Sequence, residues 1–180
     1  MKKMIIKFQK KIIFLIFASV NIINLHFKLR IISNLLDTLR MFLLKTSGSK
    51  IGYKSIVHAN VMIFNPNNLE IGKNSSIGSN SEIFNYSKIR IGDNVDIGTQ
   101  FYINTNNHLF NNPSLPLSKQ GGISKEIFIG SDVWIGARVT ILSGVTVGNR
   151  VVIGAGSVVT KNLESKHIYA GVPAKKIKQI

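Results

Sequence analysis

The chain has no cysteine. Disulfides and thiolate metal sites are therefore excluded, which fits a reducing compartment. Acidic residues are scarce: 8 Asp and Glu stand against 23 Lys and Arg, a formal charge of +15 over 180 residues. An excess of that size favours anionic partners such as acidic lipid, phosphorylated small molecules or nucleic acid. No aromatic-interleaved basic patch or nucleic-acid motif accompanies it, which argues against the last of these. There is also no uninterrupted apolar run of the ~20 residues that a membrane-spanning helix needs. The best candidate, Ile12–Leu25, is interrupted by Ser19, Asn21 and Asn24. Tryptophan occurs once, at Trp134, and histidine four times.

What is present falls into three parts: residues 1–47, 48–169 and 170–180. Residues 1–47 hold nine Lys/Arg and one acid, Asp37, for a net charge of +8. The opening lysines and apolar run look partly like a secretory signal, but no small-x-small cleavage site follows. Further on, Ile32, Leu35, Leu36, Leu39, Phe42 and Leu43 recur at helical spacing. Arg30, Ser33, Asn34, Asp37 and Arg40 take the opposite side, and Gly48 offers a stop. A basic amphipathic helix of this kind suits the surface of an anionic membrane. Packing on the main domain or on a neighbouring subunit is the alternative, and a true span is a third.

From Ile51 the chain reads in sixes: "IGYKSI", "VHANVM", "IFNPNN", then "IGKNSS" and onward to "IGAGSV". The first position is nearly always Ile or Val, and Gly usually follows. Triplets of sixes start at Ile51, Ile71, Ile91, Ile129 and Val147. Three short strands and three turns close one triangular coil, and stacked coils bury a column of aliphatic layers. Glycine after each aliphatic residue is expected to serve a backbone geometry that other residues resist. The step from Ile91 to Ile129 contains eighteen residues more than the steps before it. The register survives, so residues 104–126 are a loop extruded from an intact coil. The spacing predicts an all-β fold: a parallel β-helix of about five coils with one extruded loop, after an N-terminal helical segment.

The repeat resembles that of the hexapeptide-repeat acyltransferases over residues 51 to about 178. The match is nearest to their sugar and xenobiotic O-acetyltransferases, as in capsule and lipopolysaccharide biosynthesis. It is carried by His108 at the start of the loop, "IGSDVWIGARVTILSGVTVG" at 129–148, "VVIGAGSVVTK" at 151–161 and "AGVPAKKIK" at 170–178. The resemblance implies a left-handed coil, a homotrimer with sites between neighbouring coils, and acetyl-CoA as co-substrate. It also implies His108 as general base toward an acceptor hydroxyl. An imidazole, titrating near neutral pH, suits that task.

By the same resemblance Trp134, which points outward from its six, lines the acceptor and pantetheine cleft. Ala137 and Ala155 offer backbone contacts, Thr160 and Lys161 lie near the nucleotide end, and Lys175 and Lys178 face the CoA phosphates. Where sugar acetyltransferases of the maltose/galactoside type place an acceptor-binding Asn, this chain has Gly78. Asn85 and Asn104 are the substitutes expected to touch the acceptor.

Three other readings compete. The γ-class carbonic anhydrases share the coil but need three gathered histidines, whereas His26, His58, His108 and His167 are scattered. N-acetylation of an amino sugar is the nearest alternative chemistry. A non-catalytic trimeric scaffold is the rival from another class. The expected place of work is the cytoplasm, at the inner face of the membrane.

Overall fold

The structure, a computed structural model, describes residues 35–180. Backbone contacts divide the chain into two units, Met1–Leu39 and Arg40–Ile180. The expectations for residues 1–34 lie outside the described residues.

The second unit is a three-sided parallel β-solenoid. Face one stacks Lys50–Ile51, Leu69–Ile71, Ile89–Ile91, Ile127–Ile129 and Thr146–Val147. Face two stacks Ile56–Val57, Ser76–Ile77, Val95–Ile97, Val133–Ile135, Val152–Ile153 and His167–Ala170, and closes with the antiparallel strand Lys175–Gln179. Face three stacks Met62–Ile63, Glu82–Phe84, Tyr102–Asn104, Thr140–Ile141 and Val158–Val159. The triplet starts read from sequence are in register: Ile51 pairs with Ile71, Ile71 with Ile91, Ile91 with Ile129 and Ile129 with Val147. A bridge from Val147 to Leu163 opens a further, incomplete turn that ends in the C-terminal strands, so the solenoid exceeds the expected five.

The aliphatic first positions point inward, and Ile77, Ile97, Ile135 and Ile153 of face two are all buried. Each wholly buried side chain of this size contributes roughly 1.5–3 kcal/mol. Small polar side chains complete the corners. Ser75 is buried; its hydroxyl donates to the carbonyl of Gly92 (2.9 Å) and accepts from the amide of Val95 (3.0 Å), joining adjacent coils.

The glycines do not do what the repeat suggests. The left-handed corner positions are held by Lys54, Asn74, Asn94, Asp132, Arg150 and Lys166, all with φ between 53° and 63°. The glycines that follow the aliphatic residues serve close approach instead. A Cβ on Gly72 would lie 2.5 Å from the carbonyl oxygen of Gly92.

Residues 35–46 are helical. Met41 and Leu44 pack against the solenoid core, and the Arg40 guanidinium donates to the Val57 carbonyl (3.2 Å). Helical spacing puts Leu35, Leu36, Leu39, Phe42 and Leu43 on one stripe, and all five are exposed. Within the second unit, Phe42 and Leu43 of that stripe turn to solvent while Met41 and Leu44 beside them pack inward. Among the described residues no helix is long and apolar enough to cross a membrane.

Candidate active site

The regular coil stops after Asn104. Thr105, wholly buried, marks the point where the loop leaves and returns. Its carbonyl accepts from the amide of Lys125 (2.9 Å) and from the Ser143 hydroxyl one coil further on. Its own hydroxyl accepts from the amide of Ser87 (3.0 Å) on the coil before. The neck is thus tied to the coils on both sides, and the insertion can project without opening the core.

Beyond the neck, Asn106–His108 pairs antiparallel with Gly122–Ser124. His108 ends the first strand, exposed, directly opposite Gly122. No side chain faces the imidazole from that position. The rest of the loop is shaped by Gln120, whose amide donates to the carbonyls of Asn112 and Leu115 (both 3.0 Å) and accepts from the amide of Asn112 (2.9 Å). A hollow of about 400 Å³ lies between Leu109, Leu115, Lys119 and this clasp.

Thr160 stands at the foot of the hairpin. With Asn106, Asn107, Leu142 and Ser143 it lines a small hollow of about 170 Å³. Residue types that are far apart in sequence therefore meet here because the coils stack in register: Ile103 pairs with Ile141, and Ile141 with Val159. Lys161 follows, exposed. Ala137 and Ala155 lie one above the other at the corner between faces two and three. The Ala137 carbonyl accepts from Gly156 (2.9 Å), and a Cβ on Gly136 would come 2.5 Å from the Ala155 amide nitrogen. This corner is narrow and lined by small residues.

Trp134 is elsewhere. It lies in the middle of face two with 59% of its surface exposed, flanked by Asp96 and Val152. It borders a groove of about 450 Å³ with Asn94, Asp132, Arg150 and Ile180. Arg150 donates to Asp132 across that groove at 3.0 Å. Asp96, Arg150 and Ile180 were not anticipated, because only the stacking of four coils brings them together. The row continues from Val152 to Ile168 and then to Lys178. At about 4.8 Å per strand this puts Lys178 about 14 Å from Trp134. Lys175 lies on the same edge strand, opposite Ala170. Trp134 borders the groove of about 450 Å³, whereas the hairpin contributes Asn106 and Asn107 to the hollow of about 170 Å³.

Asn85, expected to touch the acceptor, cannot do so. It is wholly buried, its carbonyl oxygen accepts from the amide of Asn65 (2.8 Å), and its NH₂ donates to the Asn65 carbonyl. It is a rung between coils. Asn104 keeps partial exposure, but its amide is also committed: it donates to the Tyr102 hydroxyl (3.2 Å) and accepts from the Asn106 amide (2.8 Å).

Comparison with known proteins agrees with this architecture. Residues 126–161 match the bacterial transferase hexapeptide (six repeats), and residues 69–104 the hexapeptide repeat of succinyl-transferase. No curated protein sequence matches the chain. Among solved structures it is similar to a maltose O-acetyltransferase from Clostridium difficile 630, with 32% identity over 78% of this chain and 74% of that one (TM-score 0.67). The chain belongs to the hexapeptide-repeat acetyltransferases. A second member, a hexapeptide-repeat-containing acetyltransferase from Vibrio cholerae solved with acetyl coenzyme A, is 29% identical over 79% of this chain and 76% of that one (TM-score 0.71). An N-acyltransferase from Bacillus cereus, solved with dTDP and 3-hydroxybutyryl-CoA, shares the fold at 23% identity over 77% of this chain and 87% of that one (TM-score 0.63).

Proposed function

We propose that this hexapeptide-repeat acetyltransferase moves the acetyl group of acetyl-CoA to a sugar hydroxyl in the biosynthesis of surface polysaccharide or lipopolysaccharide. The observation that carries the reading is the placement of His108. The one interruption of the solenoid displays it on a short hairpin, opposite a glycine, beside the hollow that contains Thr160. In the reaction the imidazole takes the proton of the acceptor hydroxyl as that oxygen attacks the thioester carbonyl. The tetrahedral intermediate collapses with loss of the CoA sulfur, which receives the proton from the imidazolium. The products are the acetyl ester and free CoA. The relatives from Clostridium and Vibrio support the donor and the acceptor class.

The small-residue corner at Ala137 and Ala155 suits an extended pantetheine arm. Lys161, Lys175 and Lys178 supply point charges for CoA phosphates. Trp134 lies on a different face from the hairpin, so the working site is taken to form between subunits of a homotrimer, with Trp134 of a neighbour facing His108. The exposed stripe from Leu35 to Leu43 and the +8 charge of residues 1–47 support attachment to the inner face of the cytoplasmic membrane. There the enzyme would meet cytoplasmic acetyl-CoA and lipid-linked sugars.

The test is acetyl-CoA turnover, read as thiol release, against free sugars, nucleotide sugars, lipid-linked sugars and amino sugars. An ester product on a glycan hydroxyl is expected; an amide product selects amino-sugar N-acetylation instead. Failure to bind CoA at millimolar concentration ends the acyl-transfer reading.

A further inference from the structure

We propose that Asn104 is a positioning residue for His108, acting by spanning the Tyr102 hydroxyl and the backbone N–H of Asn106. The inference rests on the reading of His108 as general base and concerns what holds that base in place.

Asn104 is the last residue of the regular strand Tyr102–Asn104, and Asn106 is the first of the hairpin strand Asn106–His108. The Asn104 amide joins the two. Its NH₂ donates to Tyr102 Oη at 3.2 Å, and its Oδ1 accepts from the Asn106 N–H at 2.8 Å. Tyr102 is a firm anchor, because its ring packs against Phe84 on the preceding coil with centroids 5.6 Å apart. Asn106 in turn locks the hairpin: its Oδ1 accepts from the Ser124 hydroxyl on the facing strand at 3.2 Å. Side chains two apart on a strand share a face, so a shift of Asn106 reaches His108 directly.

The hairpin has little else to steady the imidazole. Gly122 stands opposite it, and a Cβ there would crowd Asn106 Oδ1 and the Asn107 carbonyl, each at 3.1 Å. The orientation of His108 must therefore come from the stem of the hairpin, where Thr105 fixes the neck to the coils on either side and Asn104 is the side chain that links the last solenoid strand to the first hairpin strand. Misplacing a reacting group by about 1 Å can cost on the order of 10²-fold in rate.

The experiment is a double-mutant cycle on the full chain, with kcat and the KM for acetyl-CoA measured for each variant. Asn104→Ala should lower kcat by about 10- to 100-fold and leave that KM within about twofold. Asn104→Asp should restore most of the rate, because a carboxylate accepts from both the Asn106 N–H and the Tyr102 O–H. In the His108→Ala background, Asn104→Ala should cost nothing further. If His108→Ala is slow and Asn104→Ala retains full kcat, positioning is wrong and the base reading stands. If Asn104→Ala lowers the residual rate of His108→Ala by the same factor, Asn104 acts through the fold in general and the inference fails. If His108→Ala is fully active, the base reading falls and takes this inference with it. Should Asn104→Ala not fold, Tyr102→Phe removes only the anchoring hydroxyl and runs the same cycle with the same criteria.

Discussion

Gly78 lies directly against Gly98 of the next coil, so that a methyl group on Gly78 would stand 2.5 Å from the Gly98 carbonyl oxygen. Backbone cannot yield there without parting the coils. Gly78→Ala is expected to destabilise by at least the roughly 1–3 kcal/mol typical of overpacking. Lys166→Gly, at a φ of 63°, should be neutral or mildly stabilising, because glycine adopts that conformation without steric cost. Chemical denaturation of both variants decides the point. A well-tolerated Gly78→Ala would contradict close approach as the reason for glycine.

His108→Ala is expected to reduce kcat by on the order of 10²–10⁴ while CoA affinity is retained. His108→Ala leaves intact the Ala137–Ala155 corner and the lysines proposed to hold CoA, which is the reason binding should survive. Calorimetry with CoA and steady-state rates at saturating acceptor provide the two readouts. A rate loss below about threefold would refute the role.

Two neighbours on the helix should behave oppositely. Met41 packs against the solenoid core, and its sulfur accepts from the Val57 amide at 3.2 Å. Phe42 is exposed. Met41→Ala should lower stability by about 1–3 kcal/mol, since the site is only partly buried. Phe42→Ser, combined with Leu43→Ser, should leave stability within about 0.5 kcal/mol and weaken co-sedimentation with anionic vesicles. Unchanged vesicle binding, or a wild-type protein that ignores vesicles at low salt, would remove the membrane proposal.

The C-terminal edge strand carries an ion pair with a defined pH window. Lys176 hydrogen-bonds Glu164, which lowers the carboxyl pKa and raises that of the ammonium. The carboxylate contribution is present above its ordinary value of about 4.3 and disappears as pH falls through the lowered one. The ammonium contribution is present below about 10.4 and disappears as pH rises through the raised one. Both groups face solvent, so the edge strand rather than the whole fold should respond. Carboxyl NMR titration should show the Glu164 midpoint rising in Lys176→Met. An unmoved midpoint would mean that the pair does not form in solution.

Much of the fold was legible in the residue order, for a physical reason. A solenoid is built from near neighbours, so the period that sets Ile51, Ile71, Ile91, Ile129 and Val147 in line is itself the coil. The insertion and its histidine were legible for the same reason, as the one departure from that period. What lies between coils was not. Asn85 reads as a free polar residue, yet stacking buries it against Asn65. The glycines read as conformational devices, yet the next coil makes them spacers, while Asn, Lys, Asp and Arg take the left-handed corners. The groove joining Trp134 to Asp96, Arg150 and Ile180 depends on which residues are brought opposite across the stack. Sequence determined the repeat, because each six dictates its own strand and turn. Which candidate residues share a hollow was decided by tertiary structure, because Asn106, Leu142 and Thr160 meet only through the pairing of successive coils.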